Sequence, residues 1–157
     1  MPRNLLTVPH IPQRNSADCL AACAAMLLAA IDKDVPYPQL LRILNVQSYG
    51  TSARNLHYLS QVGVDIVYRE GSLSILEETI SSGRPCLTLV RTEFFPHWSY
   101  TTDHAVVVVG MDDDLVYLND PAFAQYPMHV TKLEFDLAWM EFDYRYCIIT
   151  MDSSLRA

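Results

Sequence analysis

The sequence predicts an α+β fold, with helices first along the chain and an antiparallel β-sheet after them. In the N-terminal half, apolar residues recur at helical spacing, most clearly over residues 19–31. From residue 86 onward, short runs rich in valine, isoleucine and tyrosine have the composition of β-strands. An acidic run at residues 112–114 separates two of these runs, which is typical of a hairpin between antiparallel strands. Helices and strands segregated in this way indicate an α+β arrangement.

The N-terminal half predicts an extended segment followed by four helices and one strand. Two prolines exclude a helix from residues 5–13, because proline lacks a backbone donor and has a fixed φ. Asn15, Ser16 and Asp18 then supply N-cap side chains for a helix at residues 19–31, whose apolar face has i, i+3, i+4 spacing. The further predicted elements are a short helix at residues 39–44, a helix between Ser52 and Gly63, a strand at residues 64–68, and a helix that begins at Ser72 or Ser74 and ends at Gly83.

The C-terminal half predicts five strands and one short helix. The second of these strands is the most hydrophobic part of the chain, which indicates a strand buried on both faces. The strands are predicted at residues 86–91, 104–112, 115–119, about 128–131, and 144–151, and the helix at residues 133–139.

Length and composition exclude several classes of protein. With 157 residues, the chain has the length of one domain, and we expect residues 1–157 to form a single one. Hydrophobic residues make up 50% and charged residues 18%, so the chain can bury a full core and is not disordered. The formal net charge of −7 argues against binding to the phosphates of a nucleic acid.

No segment predicts export or insertion into a membrane. The longest apolar stretch, residues 19–31, is shorter than the roughly 20 residues that span a bilayer. The N-terminal residues are interrupted by prolines and do not resemble a signal peptide. The four cysteines are therefore expected to be reduced thiols in a cytoplasmic protein.

Cys19 is the first candidate for chemistry, because it lies in the first turn of a predicted helix. Unpaired backbone N–H groups and the positive end of the helix dipole stabilise a thiolate there. The alternative is that Cys19 is a buried apolar residue, as a lone cysteine often is. That interpretation fits the other three cysteines: Cys23 lies on the apolar helix face, and Cys86 and Cys147 lie in hydrophobic strands.

Three further residues are candidate partners of Cys19. Gln13 precedes the helix, where its amide can donate to an oxyanion together with the backbone N–H of Cys19. His104 opens the most hydrophobic strand, and Asp120 follows the next strand. If the turn lies at residues 112–114, both residues are at the same end of the hairpin. The carboxylate can then orient the imidazole, which gives a Cys-His-Asp arrangement.

The other polar clusters have weaker interpretations. A hairpin turn explains residues 112–114 better than a metal site does, and Cys19 with Cys23 lacks the second ligand pair of a zinc site. The chain has 5 glycines and no glycine-rich phosphate loop. We therefore expect no metal and no other cofactor. The remaining histidines, interpreted as surface or packing residues, are His10, His57, His97 and His129.

Residues 94–100 lie between two predicted strands and are rich in aromatic side chains. The segment is too long for a tight hairpin and ends shortly before His104. It is predicted to form one side of a substrate cleft. The alternative is that its rings cover the core of the sheet.

Several motifs occur in a specific order along nearly the whole chain. They are Val-Pro-His-Ile-Pro-Gln at residues 8–13, Asp-Cys at 18–19 with a small-residue helix after it, Gly-Thr-Ser at 50–52, Gly-Arg-Pro at 83–85, Asp-His-Ala-Val-Val-Val-Val-Gly at 103–110, and Asn-Asp-Pro at 119–121. With this order, the chain resembles the papain-like cysteine peptidases of the C39 family, the bacteriocin-processing or double-glycine peptidases, and their C39-like relatives.

The resemblance implies a papain-like fold, in which N-terminal helices pack on a C-terminal antiparallel β-sheet. It implies Cys19 as the nucleophile, His104 as general base and acid, Asp120 as the residue that orients His104, and Gln13 as an oxyanion donor. Relatives cleave leader peptides after a Gly-Gly pair and often form the N-terminal part of an ABC transporter. A peptide or protein substrate and association with an ABC transporter are therefore expected.

One residue departs from the pattern of the family. Leu20 stands where many relatives have glycine after the cysteine, and its bulk can narrow the cleft beside the nucleophile. The residues predicted to bind substrate are Leu20, Trp98, Tyr100 and Asp103.

The predicted function is thus that of a cysteine peptidase that forms an acyl-enzyme, with leader-peptide processing as one form of it. The same residues can deamidate a glutamine side chain, and the sequence does not separate the two reactions. A non-catalytic domain that only binds peptide is the third hypothesis. Degenerate copies usually lose the nucleophile, whereas Cys19, His104 and Asp120 are all present here.

Overall fold

The computed structural model of the protein describes residues 4–152. Its helices and strands follow the predicted order closely. The α-helices are α1 (Cys19–Ala30), α2 (Tyr37–Ile43), α3 (Leu73–Ser81) and α4 (Lys132–Met140). No helix in this part of the chain has both the length and the apolar character needed to cross a membrane.

The predicted helix after Ser52 is a 3₁₀-helix, Ala53–Val62, and not an α-helix. Its apolar residues Leu56, Leu59 and Val62 are spaced by three, which matches the 3.0 residues per turn of a 3₁₀-helix. Leu56 and Leu59 are fully buried, so the tighter helix places both on the core. Gly63 ends it with φ of 86°, a backbone conformation that favours glycine.

Helix α1 is central and not amphipathic, in contrast to the single apolar face predicted from its spacing. Every residue from Leu20 to Leu28 is buried. The alanines between the larger side chains are small enough for neighbouring elements to approach on all sides. The helix therefore lies between the sheet and the other N-terminal helices, with Cys19 at its first position.

A seven-stranded antiparallel sheet forms the centre of the molecule. Its strand order is β2-β7-β3-β4-β5-β6, and the short β1 pairs with the last residues of β4. The predicted turn at residues 112–114 does join β4 to β5, and the backbone N–H groups of Asp114 and Leu115 donate to the Asp112 side chain. The strands are β1 (Asn4–Leu5), β2 (Val64–Glu70), β3 (Cys86–Arg91), β4 (Asp103–Met111), β5 (Leu115–Asn119), β6 (Met128–Thr131) and β7 (Arg145–Met151).

The two faces of the sheet bury separate clusters of side chains. Ala105, Val107 and Val109 of β4 pack in the cluster that contains α1 and α2. Val106 and Val108 pack in the cluster that contains α3 and α4. Because β4 is covered on both faces, all of its residues after Asp103 are buried, which accounts for its unbroken run of valines. The α+β class predicted from the sequence is confirmed.

Candidate active site

Cys19 is the first residue of α1 and is half-buried. The preceding residue, Asp18, occupies the N-cap position but makes no capping hydrogen bond, contrary to the capping role predicted for it. Its buried Oδ2 instead accepts a hydrogen bond from the Tyr37 hydroxyl of α2 at 3.2 Å. The Asp18 side chain therefore leaves the backbone N–H groups at the start of α1 free to face an anion beside Cys19.

His104 and Asp120 meet because β4 and β5 are antiparallel neighbours. His104 lies near the start of β4, and Asp120 directly follows β5. The His104 Nε2 atom is 2.7 Å from Asp120 Oδ1, and both side chains are almost completely buried. Cys19 and His104 line the same cleft, and the thiol acts on the imidazole closely enough to raise its pKa. Since Asp120 occupies Nε2, Nδ1 is the ring nitrogen left for Cys19.

The His104–Asp120 pair favours the charged form of both groups. Burial lowers the pKa of His104, but the hydrogen bonds and negative charges of Asp120 and Cys19 outweigh it and raise the pKa from 6.5 to about 9. Burial raises the pKa of Asp120, yet hydrogen bonds from His104, His97 and Trp98 and the charge of His104 bring it well below its ordinary value. An imidazolium at position 104 is thus stabilised near neutral pH.

We expect this pair to stabilise the fold most between about pH 4 and pH 6.5. The raised pKa of His104 means that its contribution is complete below 6.5 and is lost as the pH rises through about 9. The lowered pKa of Asp120 means that its contribution is complete above 3.8 and is lost as the pH falls. Thermal unfolding of the native protein and of His104→Gln across this range measures the effect. The Tm of the native protein should exceed that of His104→Gln most between about pH 4 and pH 6.5, and this difference should shrink as the pH rises toward about 9. A Tm difference that does not change with pH would contradict the pairing.

Two further side chains bind Asp120 on its other oxygen. The His97 Nε2 atom is 2.9 Å from Asp120 Oδ2, and the Trp98 indole N–H donates to the same oxygen at 2.8 Å. The backbone N–H of Ala122 donates to Oδ1 at 3.0 Å. The sequence-based interpretation of His97 as a packing histidine without a partner was therefore wrong. The positions of His97 and Asp120 along the chain did not indicate this contact, because the loop from residue 92 to 102 has to fold back to reach Asp120.

Gln13 contacts this site with its backbone. Its N–H donates to the carbonyl of Pro121 at 2.9 Å, which holds the extended N-terminal segment against the loop that carries Asp120. Its side-chain Nε2 donates to the Asn15 carbonyl at 3.2 Å, and its buried Oε1 has no hydrogen-bond partner. One of the two amide hydrogens of Gln13 is therefore still available.

A cleft of about 500 Å³ opens beside Cys19 and His104. Leu20 and Asp103, two of the predicted substrate-binding residues, are among its lining residues. Trp98 and Tyr100 are not among these lining residues but lie beside His104. The Trp98 ring contacts the His104 ring, with 4.7 Å between centroids, and the exposed Tyr100 packs on Trp98 at 5.1 Å. The same loop lines the cleft with Thr101 and Thr102.

Among the cleft residues that the sequence analysis did not predict are Tyr49, Phe142 and Arg91. Tyr49 is 87% exposed and lies in a tight turn closed by hydrogen bonds between Gln47 and Gly50. Phe142 follows α4, and Arg91 ends β3, where it pairs with Asp103 at 2.6 Å. A turn residue with a large exposed aromatic ring is a usable signal for a binding surface. Arg91 and Phe142 have no such signal, because Arg91 reaches the cleft through the pairing of β3 with β4 and Phe142 lies in the turn after α4.

The other three cysteines are buried, as predicted, and differ from Cys19 in this respect. Burial raises the pKa of the Cys86 and Cys147 thiols to about 12. Burial, together with the charges of Cys19 and Asp120, also raises the pKa of Cys23 well above its ordinary value. Cys19 is therefore the cysteine that combines access to the cleft with an imidazole partner.

Comparisons with known proteins identify relatives of this chain. Relatives of known sequence include two proteins of Escherichia coli. The chain is 29% identical over 115 residues to the microcin-H47 secretion/processing ATP-binding protein MchF, covering 73% of this chain and 15% of that protein. It is 25% identical over 115 residues, with the same coverage, to the colicin V secretion/processing ATP-binding protein CvaB. The chain thus spans about 15% of the length of these relatives.

Solved structures with the same fold include two peptidases. A C39-like peptidase from Bacillus anthracis superposes with a TM-score of 0.77 at 18% identity, covering 91% of this chain and 95% of that one. A double-glycine motif protease from an AMS/PCAT transporter, solved in complex with a leader peptide, has a TM-score of 0.72 at 26% identity and 95% coverage of both chains. The family model of the C39 peptidases matches residues 7–144. This chain, with its predicted motifs and its fold, belongs to the peptidase C39 family.

Proposed function

We propose that the protein is a cysteine peptidase that uses Cys19, His104 and Asp120. The observation that supports this most directly is the His104–Asp120 hydrogen bond at an open cleft that Cys19 and His104 both line. A nucleophile, a base within hydrogen-bond reach and a third group that orients the base are the parts that covalent catalysis requires.

The reaction begins from the form of the pair in which the proton of the Cys19 thiol resides on His104, whose imidazolium is favoured near neutral pH. The thiolate attacks the carbonyl carbon of the peptide bond, and the carbonyl oxygen becomes an oxyanion. The backbone N–H of Cys19 at the start of α1 and the remaining amide hydrogen of Gln13 are the proposed donors to it. His104 then gives its proton to the leaving amine, and Asp120 stabilises the imidazolium in between.

The second half of the reaction uses the same groups. A water molecule loses a proton to His104 and attacks the thioester on Cys19. The carboxylic acid leaves, and the thiolate of Cys19 with the imidazolium of His104 is restored. Asp120 stays ionised throughout, because its four hydrogen-bond donors favour the carboxylate.

We propose a leader peptide as the substrate and association with an ABC transporter. This rests on the relatives that are named as secretion/processing proteins and on the protease solved with a leader peptide. Leu20, which lines the cleft next to Cys19, makes the passage there narrower than glycine would. Small residues at the cleavage junction fit such a passage best.

A panel of synthetic peptides with Gly-Gly, Gly-Ala and bulkier junctions tests this proposal. We expect mass spectrometry to find cleavage after the small pair and much slower cleavage at bulky junctions, with Cys19→Ala as the inactive control. A gain of about one mass unit on glutamine without cleavage would instead assign a deamidase, since acyl transfer to water releases ammonia from the side chain. Binding without any product would assign a non-catalytic peptide-binding domain.

A further inference from the structure

The carboxylate of Asp120 is held from both sides in a site closed to solvent. Oδ1 faces His104 and the backbone N–H of Ala122, while Oδ2 accepts from His97 and Trp98. The Asp120 side chain has no exposed surface, so water does not supply any of these bonds. The orientation of the carboxylate therefore depends on the four protein donors.

His97 packs against two aromatic rings. Its ring stacks on Phe95, with 5.5 Å between centroids and an interplanar angle of 20°. The edge contact with Phe123 has a centroid distance of 5.0 Å, and the His97 side chain is 13% exposed. The backbone of the loop is tied locally by hydrogen bonds from Phe95 to Thr92 and from Trp98 to Phe95. The Nε2 atom of His97 is thus held in place before any substrate binds.

This arrangement connects His97 to Cys19 through two other side chains. Donors on both oxygens fix the plane of a carboxylate. Oδ2 of Asp120 has two donors, and without His97 the indole N–H of Trp98 alone would hold this oxygen, which leaves the carboxylate freer to turn about its Cβ–Cγ bond. Asp120 sets the orientation of the His104 ring through Nε2, and that orientation sets where the other ring nitrogen lies relative to the Cys19 thiol. A change at His97 should therefore alter the Cys19–His104 pair without touching either residue.

We propose that His97 is a positioning residue, which fixes the carboxylate of Asp120 and thereby aligns His104 with Cys19. This inference rests on the proposed cysteine chemistry and adds a fourth side chain to it. His97 does not contact the cleft, so its effect falls on the reactivity of Cys19 and not on substrate binding.

Two substitutions separate positioning from packing. His97→Phe keeps an aromatic ring between Phe95 and Phe123 but removes the N–H donor to Asp120. His97→Gln loses the ring stacking but retains a side-chain N–H donor. A packing role predicts that the phenylalanine variant behaves like the native protein and the glutamine variant does not. A positioning role predicts the reverse.

The measurement is the rate at which iodoacetamide labels Cys19, located by mass spectrometry, in the full chain at about pH 6. We expect His97→Phe to lower this rate by about tenfold, which is the loss of one hydrogen bond to a charged group, and His97→Gln to stay within about threefold of the native rate. At about pH 10, where thiols ionise without an imidazolium partner, the variants should converge. His129→Phe, at an exposed position of β6, is the matched control and should label like the native protein.

The same experiment distinguishes failure of this inference from failure of the proposed function. His104→Ala should slow labelling of Cys19 at about pH 6, and if it does not, the cysteine chemistry and the role of His97 are both wrong. If His104→Ala slows labelling but His97→Phe reacts at the native rate, His97 is a packing residue only. Loss of reactivity in both His97 variants, accompanied by a lowered Tm, would likewise assign it to the fold.

Discussion

Replacing Cys19 with alanine should remove turnover of any peptide that the native protein cleaves and leave the fold intact. Cys19 is half-buried at the first position of α1, so replacing its side chain with the methyl group of alanine removes few packing contacts. Loss of a nucleophile lowers kcat by at least about 10³-fold. Product formation measured by mass spectrometry, together with the Tm of the variant, checks both parts.

The control for this variant is Cys23→Ala, one turn further along α1. Cys23 is fully buried and points into the core, so its loss should lower stability by about 1 kcal/mol and leave the rate of cleavage nearly unchanged. Combining Cys19→Ala with His104→Ala should cost little beyond either change alone, because the two side chains act as a unit. Near-native turnover by Cys19→Ala would contradict the proposed mechanism.

Asp120→Asn should also lower activity strongly, because an amide cannot replace a carboxylate that accepts from donors on both oxygens. If the new oxygen faces His104, the new NH₂ group faces the N–H of Trp98, which cannot become an acceptor. Each buried donor left without a partner costs about 1–3 kcal/mol of stability. We expect kcat to fall by about 10²- to 10⁴-fold. This loss is smaller than in His104→Ala, because an enzyme that loses only the residue that orients its base retains some catalysis.

Kinetics and urea unfolding of the variant measure these effects. Asp112→Asn provides a matched control, because Asp112 also accepts from two backbone N–H groups and a tyrosine hydroxyl but lies at the β4–β5 turn. It should lower stability and keep kcat within about twofold. A loss of activity in Asp120→Asn that exceeds the loss in His104→Ala would indicate that Asp120 binds substrate directly.

Local sequence patterns predicted most of the fold because the underlying signals are local. Proline, N-cap residues and apolar spacing placed the elements to within a few residues, and the helix predicted after Ser52 has apolar residues spaced by three, which is the period of the 3₁₀-helix found there. The role of Asp18 was not predictable in this way. Its side chain is drawn away from the helix terminus by Tyr37, which is a long-range contact.

By itself, the sequence determined the order of the elements, the hairpin at residues 112–114, and with it the meeting of His104 and Asp120. Antiparallel pairing across a short turn brings the two ends of a hairpin together, so a linear pattern is enough. Only the tertiary structure decided that His97 and Trp98 fold back onto Asp120 and that Tyr49 reaches the cleft. The conformation of a loop has no periodic sequence pattern from which it could be predicted. The donors to a buried carboxylate are the groups close to it in space, and these can be far from it along the chain.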